Sequence, residues 1–507
     1  MTKNAALNER SDQSDVIAFL LRPQSYGLPD EARVKQISTH ISHIFLAGRR
    51  AYKLKRAVTL PYVDFSSLAA RKTACDNEVT LNRRTAPELY LGVVAVTRSA
   101  DGRLMLGGAG TPVDWLVEMV AFDQTRTLDQ VVVRSALEPA VLRALGDTIA
   151  AFHDSARVSL SSGGSGAIAK IIAANEQAFA ACPPHALPSD AVSEVSRGCY
   201  GALDRVAQLL DRRRALGEVR RCHGDLHLGN VCLIDGRPVL FDCLEFDETL
   251  ATTDVLYDIA FLLMDLVKYG LRADANLVFN RYLDRRPQTE GLAAMPLFMA
   301  LRAAVRAHVT ALKGDEVAGE YAALALALLL PNAPRLVAIG GLSGSGKSTV
   351  AYNLAPEIGV SPGARVVRSD VIRKRVFGVQ PETRLPESAY GAEVTGRVYD
   401  AMAREAAGAL AAGHSVIVDA VFLRPDERAA IAKVAADAAV PFSGLWLTAP
   451  AAVLEGRISG RTNDASDADA SVLRRQTEFD PGVVAWRQVD VSGPVDLAVA
   501  AARAAVA

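Results

Sequence analysis

Residues 221–247 read RCHGDLHLGNVCLIDGRPVLFDCLEFD, and three side chains in this stretch have types and spacings that suit one reaction. Asp225 follows His223-Gly224, Asn230 comes five positions later, and Asp242 lies beyond a hairpin-like turn. Phosphoryl transfer from ATP to a hydroxyl needs a carboxylate that receives the hydroxyl proton, and oxygen ligands that hold Mg²⁺ on the nucleotide phosphates. Asp225 suits the first role; Asn230 and Asp242 suit the second. A second stretch with phosphate chemistry, GLSGSGKS, runs from Gly341 to Ser348. Its glycines let the backbone wrap phosphate oxygens at the start of a helix, where the N-terminal dipole also favours anions.

These groups act together only if the chain brings them together. VCLI at 231–234 and PVLF at 238–241 are short apolar runs around Asp235-Gly236, a two-residue hairpin signal. That hairpin places Asn230 and Asp242 at one end, able to share a cation. His-x-Asp-x₄-Asn followed by an aspartate on the next strand is the catalytic-loop arrangement of kinases.

Upstream, residues 34–56 read as strands broken by turns, with a tight one at Gly48. Side chains alternate along a strand, so Lys53 and Lys55 share a face. A kinase needs one lysine there to hold the nucleotide phosphates, positioned by a glutamate on the following helix. The pattern predicts that helix over 65–84, with Glu78 as the glutamate. Lys53, two residues after Ala51, is the candidate, and Lys55 the alternative. Residues 112–120 form an apolar strand whose backbone at Glu118–Val120 would bind adenine if this is a kinase hinge.

Helices are expected over 128–136 and 139–155, around Asn175, over 203–214 and through 271–330. His153 is expected to pack rather than ligate, and SSGGSG at 161–166 to be a flexible connection. Arg302, Arg306 and His308 mark a polar helix side. Asp254 and Asp258 are expected to cap, with Asp258 also bracing the catalytic loop. Glu245 and Asp247 would either attract an amino-sugar or bond to backbone.

The segment from about 33 to 330 resembles the aminoglycoside phosphotransferase-like kinases, whose α+β bilobal fold is related to that of protein kinases. The matching pieces are THISHIFL, AYKLK, Glu78 in NEVTLNRR, HGDLHLGN and FDCLEFD. The resemblance implies Asp225 as base, Asn230 and Asp242 as Mg²⁺ ligands, and Lys53 with Glu78 orienting the phosphates. Two departures from protein kinases point to a small-molecule acceptor. Gly224 replaces the arginine that reads a phosphorylated activation loop, and Asp242-Cys-Leu lacks the glycine of DFG.

PNAPR at 331–335 reads as a linker, and LVAIG begins a new strand. Strand, Gly341–Ser348 and helix then follow in the order a P-loop requires. Gly341, Ser343, Gly344, Ser345 and Gly346 form the cradle, Lys347 reaches the terminal phosphates, and Ser348 with Thr349 opens the helix. Ser348 offers a hydroxyl to Mg²⁺. Strands over 365–368, 415–418 and 443–447 alternate with helices from 370, over 391–412 and over 425–439, which implies a parallel sheet. Asp370 falls at a strand end, where open α/β sheets place ligands. Asp419 is a Walker-B-like carboxylate and candidate metal ligand. Arg457 and Arg461, four apart, share a helix face and would clamp phosphate as a lid. The segment resembles P-loop kinases of the polynucleotide-kinase-like and gluconate-kinase-like group. That resemblance implies Asp370 as acceptor base. The order of the two halves also resembles a bacterial family of two-domain ATP-binding proteins.

The expected division is a tail over 1–15, a kinase domain over 16–330, the linker, and an α/β P-loop NTPase domain over 336–507. A chain of 507 residues accommodates both domains. Its formal net charge of −1 supplies no global field for nucleic acid or an anionic membrane. Its six cysteines show no CxxC pair and read as reduced thiols. The longest uncharged apolar run, Tyr321 to Leu330, is about half a membrane span. A cytoplasmic, bifunctional, ATP- and Mg²⁺-dependent kinase of a small-molecule hydroxyl is therefore expected. The alternatives are a regulatory ATP-binding protein, or a polynucleotide 5′-hydroxyl kinase in the second half, against which the charge balance argues.

Overall fold

The computed structural model describes residues 12–60, 63–460 and 465–506. The chain forms two compact units. One comprises residues up to 137 with 151–162 and 219–258; the other comprises 138–150, 163–218 and 259–507.

In the first unit, six strands form an antiparallel sheet in the order 34–38, 42–47, 50–55, 111–120, 90–98, 104–106. The Lys53 strand is central, flanked by 42–47 and 111–120. Helix Leu68–Asn82 is shorter than the expected 65–84 and is capped by Ser67, whose side chain accepts from the Ala70 amide. Cys75 and Val79 on this helix pack with Ala51, Val117 and Met119 of the sheet, which aims Glu78 at the lysines. Asp235 and Gly236 both take positive φ, as a two-residue hairpin demands, and the Val231–Ile234 and Arg237–Leu240 strands pair around them.

Residues 12–15 correct the expected tail. Gln13 is buried: its amide nitrogen donates to Asp114 Oδ2 at 2.7 Å and to the Lys55 carbonyl at 2.9 Å. Its amide oxygen accepts from the Ala57 amide at 2.8 Å, and helix Ser14–Leu20 packs on the sheet through Val16 and Leu20. Ordered structure thus begins before residue 16, and residues 1–11 lie outside those described. Helix Leu128–Val132 is shorter than expected.

In the second unit, the glycine-rich connection at 161–166 becomes a helix start, because helix Gly164–Ala180 opens within it. Ser165 donates to Asp211 Oδ2 at 2.8 Å, which satisfies that first turn. Arg302 is buried over the Phe261 ring and Arg306 lies over Tyr321, so this helix side is packed rather than solvated. Within the apolar stretch Thr289–Leu312, 67% of the most apolar 18-residue window is buried inside the protein, as in a core helix.

The parallel sheet has the order 365–368, 416–419, 336–341, 442–448, 487–490 among the described residues. The expected strands are present; Arg487–Asp490 and the closing helix Val495–Val506 are additional. Val337, Ile339, Val366, Ile417 and Leu445 form the core beneath the P-loop helix.

Burial pushes His308 and His414 of this unit down to about 4 from 6.5. Their Nδ1 atoms have no hydrogen-bond partner, so a proton added there is buried unpaired. Both fold as neutral imidazoles, and between pH 6.5 and 4 the unfolded chain binds more protons than the folded one. Their contribution is therefore full above pH 6.5 and lost as pH falls through 4. It amounts to about 3 kcal/mol for a group shifted this far. Urea unfolding followed by tryptophan fluorescence between pH 7 and 4.5 should show this acid loss, with a shallower slope in His414→Gln. An equal slope in the variant contradicts it.

Candidate functional site

Lys53 is the lysine that faces Asp242. Its Nζ lies 2.8 Å from Glu78 Oε1 and 2.7 Å from Asp242 Oδ1, joining sheet, helix and hairpin. Lys55 points the same way but is fully buried, 2.5 Å from Glu78 Oε2 and ion-paired with Glu245. The two lysines thus divide the roles left open between them: Lys53 contacts the open Asp242 carboxylate, and Lys55 holds the buried Glu78 and Glu245. Burial alone would disfavour the charged forms. The Asp242 and Glu78 carboxylates outweigh it at Lys53, holding its ammonium well above the ordinary lysine range. At Glu78, burial is outweighed by the two ammonium groups, which bring it down to about 2. Burial raises Glu245.

Glu245 corrects one expectation. It is consumed by Lys55 and cannot also attract an amino-sugar, while Asp247 accepts from the Thr249 and Leu250 amides as a helix cap. Removing one member of a buried pair strands the other charge, at about 3–5 kcal/mol. Lys55→Met should therefore cost that much in urea unfolding. Lys53→Met should cost much less, because Glu78 keeps Lys55 and the Asp242 side chain, 40% exposed, can be rehydrated. Equal costs would refute this division of roles.

Asp225, Asn230 and Asp242 converge. Asn230 Nδ2 donates to Asp225 Oδ2 at 3.1 Å and to the Asp225 carbonyl at 2.9 Å. The Phe241 amide donates to the Asn230 carbonyl at 3.0 Å, bringing Asp242 beside them. Asp242 has φ of 61°, an unusual backbone for a residue other than glycine, and such strain gathers at functional sites. Its amide donates to the Tyr90 hydroxyl at 3.1 Å, and the next amide, of Cys243, donates to Asn82 Oδ1 at 2.7 Å. Tyr90 and Asn82 were not legible as site residues, since neither belongs to a local motif.

Asp258 braces the loop as expected, accepting from the His223 and Gly224 amides at 3.2 and 2.7 Å. His153 packs against it, Nε2 at 3.1 Å from Asp258 Oδ2. Asp254 accepts from the Leu256 amide. Gly224, at φ of 85°, is required locally: a Cβ there would sit 2.8 Å from Ala251 Cβ and 2.9 Å from Leu244 Cβ.

The P-loop occupies the strand-to-helix turn between Leu336–Gly341 and Lys347–Leu354. Gly341 and Gly344 have positive φ, and a Cβ on either would come 2.6 Å from a neighbouring carbonyl oxygen. Lys347 Nζ donates to the Gly341 and Leu342 carbonyls, both at 2.9 Å. Ser348 Oγ donates to Asp419 Oδ2 at 2.6 Å, and Arg368 Nε lies 3.5 Å from the same oxygen. Asp370 is raised by burial first and by the Asp419 charge, with Arg368 and Lys347 pulling the other way.

Ser343–Thr349, Asp370, Asp419 and Arg457 line a cavity of about 1150 Å³. Arg457 donates to the Val491 carbonyl at 2.7 Å, while Arg461 lies outside the described residues. Gln476 and Asp467 are additional finds. Gln476 Oε1 accepts from the Ser343 amide at 2.8 Å. Asp467 accepts from Lys374, from the Tyr390 hydroxyl, and from the Leu385 amide at 3.0 Å. The two side chains thus tie residues 467–476 to the P-loop and to the 374–390 stretch.

Asn230 and Asp242, and separately Ser348 and Asp419, are hard oxygen donors of the kind Mg²⁺ takes. Their chemistry fits the ion in both places.

Residues 69–297 match the phosphotransferase enzyme family, and residues 336–481 match the AAA domain family. Uncharacterized proteins of Mycobacterium bovis and Mycobacterium tuberculosis are 29% identical over 493 residues, covering 94% of this chain and 96% of theirs. A gluconokinase from Sinorhizobium meliloti is 25% identical, covering 34% of this chain and 91% of its own, with a TM-score of 0.25. A choline/ethanolamine kinase family protein from Mesorhizobium loti is 13% identical, covering 63% of this chain and 94% of its own, with a TM-score of 0.37.

Proposed function

We propose that this chain, a kinase joining a phosphotransferase-type domain to a P-loop domain, phosphorylates small-molecule hydroxyls at two separate MgATP sites. The observation that carries the reading is the chain of contacts that links Asp225 to Asn230, Asn230 to the residue before Asp242, and Asp242 to Lys53.

At the first site, Asp225 takes the acceptor's hydroxyl proton as that oxygen attacks the γ-phosphorus. The bond from the γ-phosphorus to the β,γ-bridging oxygen breaks, and ADP leaves. Lys53, locked by Glu78, meets the nucleotide phosphates. Asn230 and Asp242 would hold Mg²⁺. At the second site Gly341–Gly346 cradle the phosphates with backbone amides, Lys347 supplies a cation, and Ser348 with Asp419 would hold Mg²⁺. Asp370 serves as base, since it lines the same cavity as Lys347, Ser348 and Asp419. Arg457 contributes charge from the lid. The ion, when bound, neutralises phosphate charge at each site.

The domain reading that goes with this is a kinase domain over 16–330, extended by the Gln13 contacts, and a P-loop domain over 336–507. Six free, buried thiols suit the cytoplasm.

The test is a metabolite-pool screen for phosphorylated products from labelled ATP, run on wild type, Asp225→Ala and Lys347→Ala, with an oligonucleotide as a parallel acceptor. Two product sets, each lost in one variant, support the proposal. ADP release that no acceptor stimulates would instead favour the regulatory ATP-binding reading, and transfer to the oligonucleotide the polynucleotide-kinase reading.

A further inference from the structure

Among the described residues, strand Arg365–Arg368 is the edge of the parallel sheet and pairs on one side only, with Val416–Asp419. An edge strand's outward amides and carbonyls need partners when buried. Here the partners come from helix Arg272–Arg285, which precedes the P-loop sequence and belongs to the same compact unit.

Asn276, Asn280 and Asp284 recur every four residues and so form one stripe along that helix. All three are buried. Asn280 replaces a missing strand: its Oδ1 accepts from the Val366 amide at 2.8 Å and its Nδ2 donates to the Ala364 carbonyl at 3.1 Å. Asn276 Nδ2 donates to that same carbonyl, also at 3.1 Å. Between these contacts Arg365 reaches Asp284 at 2.7 Å, Glu405 at 2.8 Å and Asn280 Oδ1 at 3.1 Å. The approach is close enough to require glycine: at Gly363, φ 129°, a Cβ would stand 2.8 Å from Asn276 Nδ2 and 2.4 Å from the Ala355 carbonyl oxygen. Buried polar side chains are costly unless matched, and here the match is to the sheet edge.

The same short strand runs into the chemistry. Three residues after Arg365, Arg368 meets Asp419, the carboxylate that accepts from Ser348, and Asp370 follows on the cavity wall. A shift of this strand therefore moves two charged groups of the P-loop site.

We infer that helix Arg272–Arg285 is a positioning element of the P-loop site, with Asn280 and Asp284 as positioning residues that fix the strand carrying Arg368 and Asp370. The second site is then built jointly by the two halves of the sequence, rather than by residues 336–507 alone. This rests on the reading of the P-loop as a nucleotide site.

The experiment uses the full chain as wild type, Asn280→Ala and Asn280→Asp, with Lys347→Ala identifying which nucleotide binding belongs to the P-loop. Hydrogen exchange is read over 365–371, and MgATP affinity by calorimetry. Loss of hydrogen bonds to buried groups at the sheet edge should speed exchange about tenfold in Asn280→Ala and weaken Lys347-dependent MgATP binding about tenfold. Asn280→Asp keeps the acceptor for Val366 and Arg365 and should retain most of both. Unchanged exchange in Asn280→Ala overturns the inference. So does faster exchange with unchanged affinity, which leaves the helix a purely structural support. If Asn280→Ala does not fold, Asn276→Ala, which removes one of two donors to Ala364, is read by the same criteria. Absence of Lys347-dependent binding in wild type sinks the reading of the P-loop itself, and the inference with it; a failure of the inference alone appears only in the variants.

Discussion

Asp225→Asn should lower acceptor-dependent ADP release from the first site by roughly 10²- to 10⁴-fold, the usual worth of a positioned general base. MgATP affinity should change little. The reason is geometric: Asp225 is bonded to Asn230 Nδ2 and lies 3.5 Å from His227 Nε2, whereas Lys53 is held by Glu78 and Asp242. The amide has nearly the same shape and leaves those lysine contacts untouched, so the loss should fall on the chemical step. Asp242→Asn makes the contrast. It removes a charge beside Lys53 and should weaken Mg²⁺-dependent nucleotide binding as well as turnover. The measurement is single-turnover transfer alongside calorimetric binding, both on the full chain. An Asp225→Asn chain that transfers phosphate at the wild-type rate would remove the base from the mechanism.

Lys347→Ala should take the binding stoichiometry from two MgATP per chain to one. Its ammonium now bonds the Gly341 and Leu342 carbonyls, so the cation stands at the mouth of the glycine-lined turn. Charge-assisted hydrogen bonds to phosphate are worth about 1.5–3 kcal/mol each, which makes the expected loss of affinity about a hundredfold or more. The Asp225-dependent activity should persist. Fold integrity is not at stake, because the core of Val337, Ile339 and Val366 does not use the lysine side chain. Two equivalents of nucleotide still bound by the variant, or one equivalent bound by wild type and unaffected by the substitution, would contradict two independent sites.

Most of the parallel sheet was legible because alternating strands and helices leave strong local patterns. The P-loop and the hairpin over 231–240 were legible because their parts are adjacent in sequence and fixed by turn chemistry. Asp235-Gly236 both take the left-handed backbone that a tight hairpin needs, and that alone sets Asn230 near Asp242. The starts of elements were less legible. Gln13 reads locally as part of a tail, because nothing in its neighbours announces the Asp114 and Lys55 contacts that bury it. The glycines at 163–164 read locally as a connection, yet Asp211, far along the chain, satisfies the first turn of a helix there.

By itself, then, the sequence determined the residue types and local geometry of two phosphate-binding stretches, since backbone preferences and short spacings act within a few residues. Tertiary structure alone decided that Lys53 rather than Lys55 faces Asp242, because Glu245, 190 residues from Lys55, claims the second lysine. It likewise decided that Asn280 completes the edge of a sheet whose strand begins 85 residues later. A buried charge or amide must find its partner wherever packing puts one, and packing is a property of the whole folded chain rather than of any window along it.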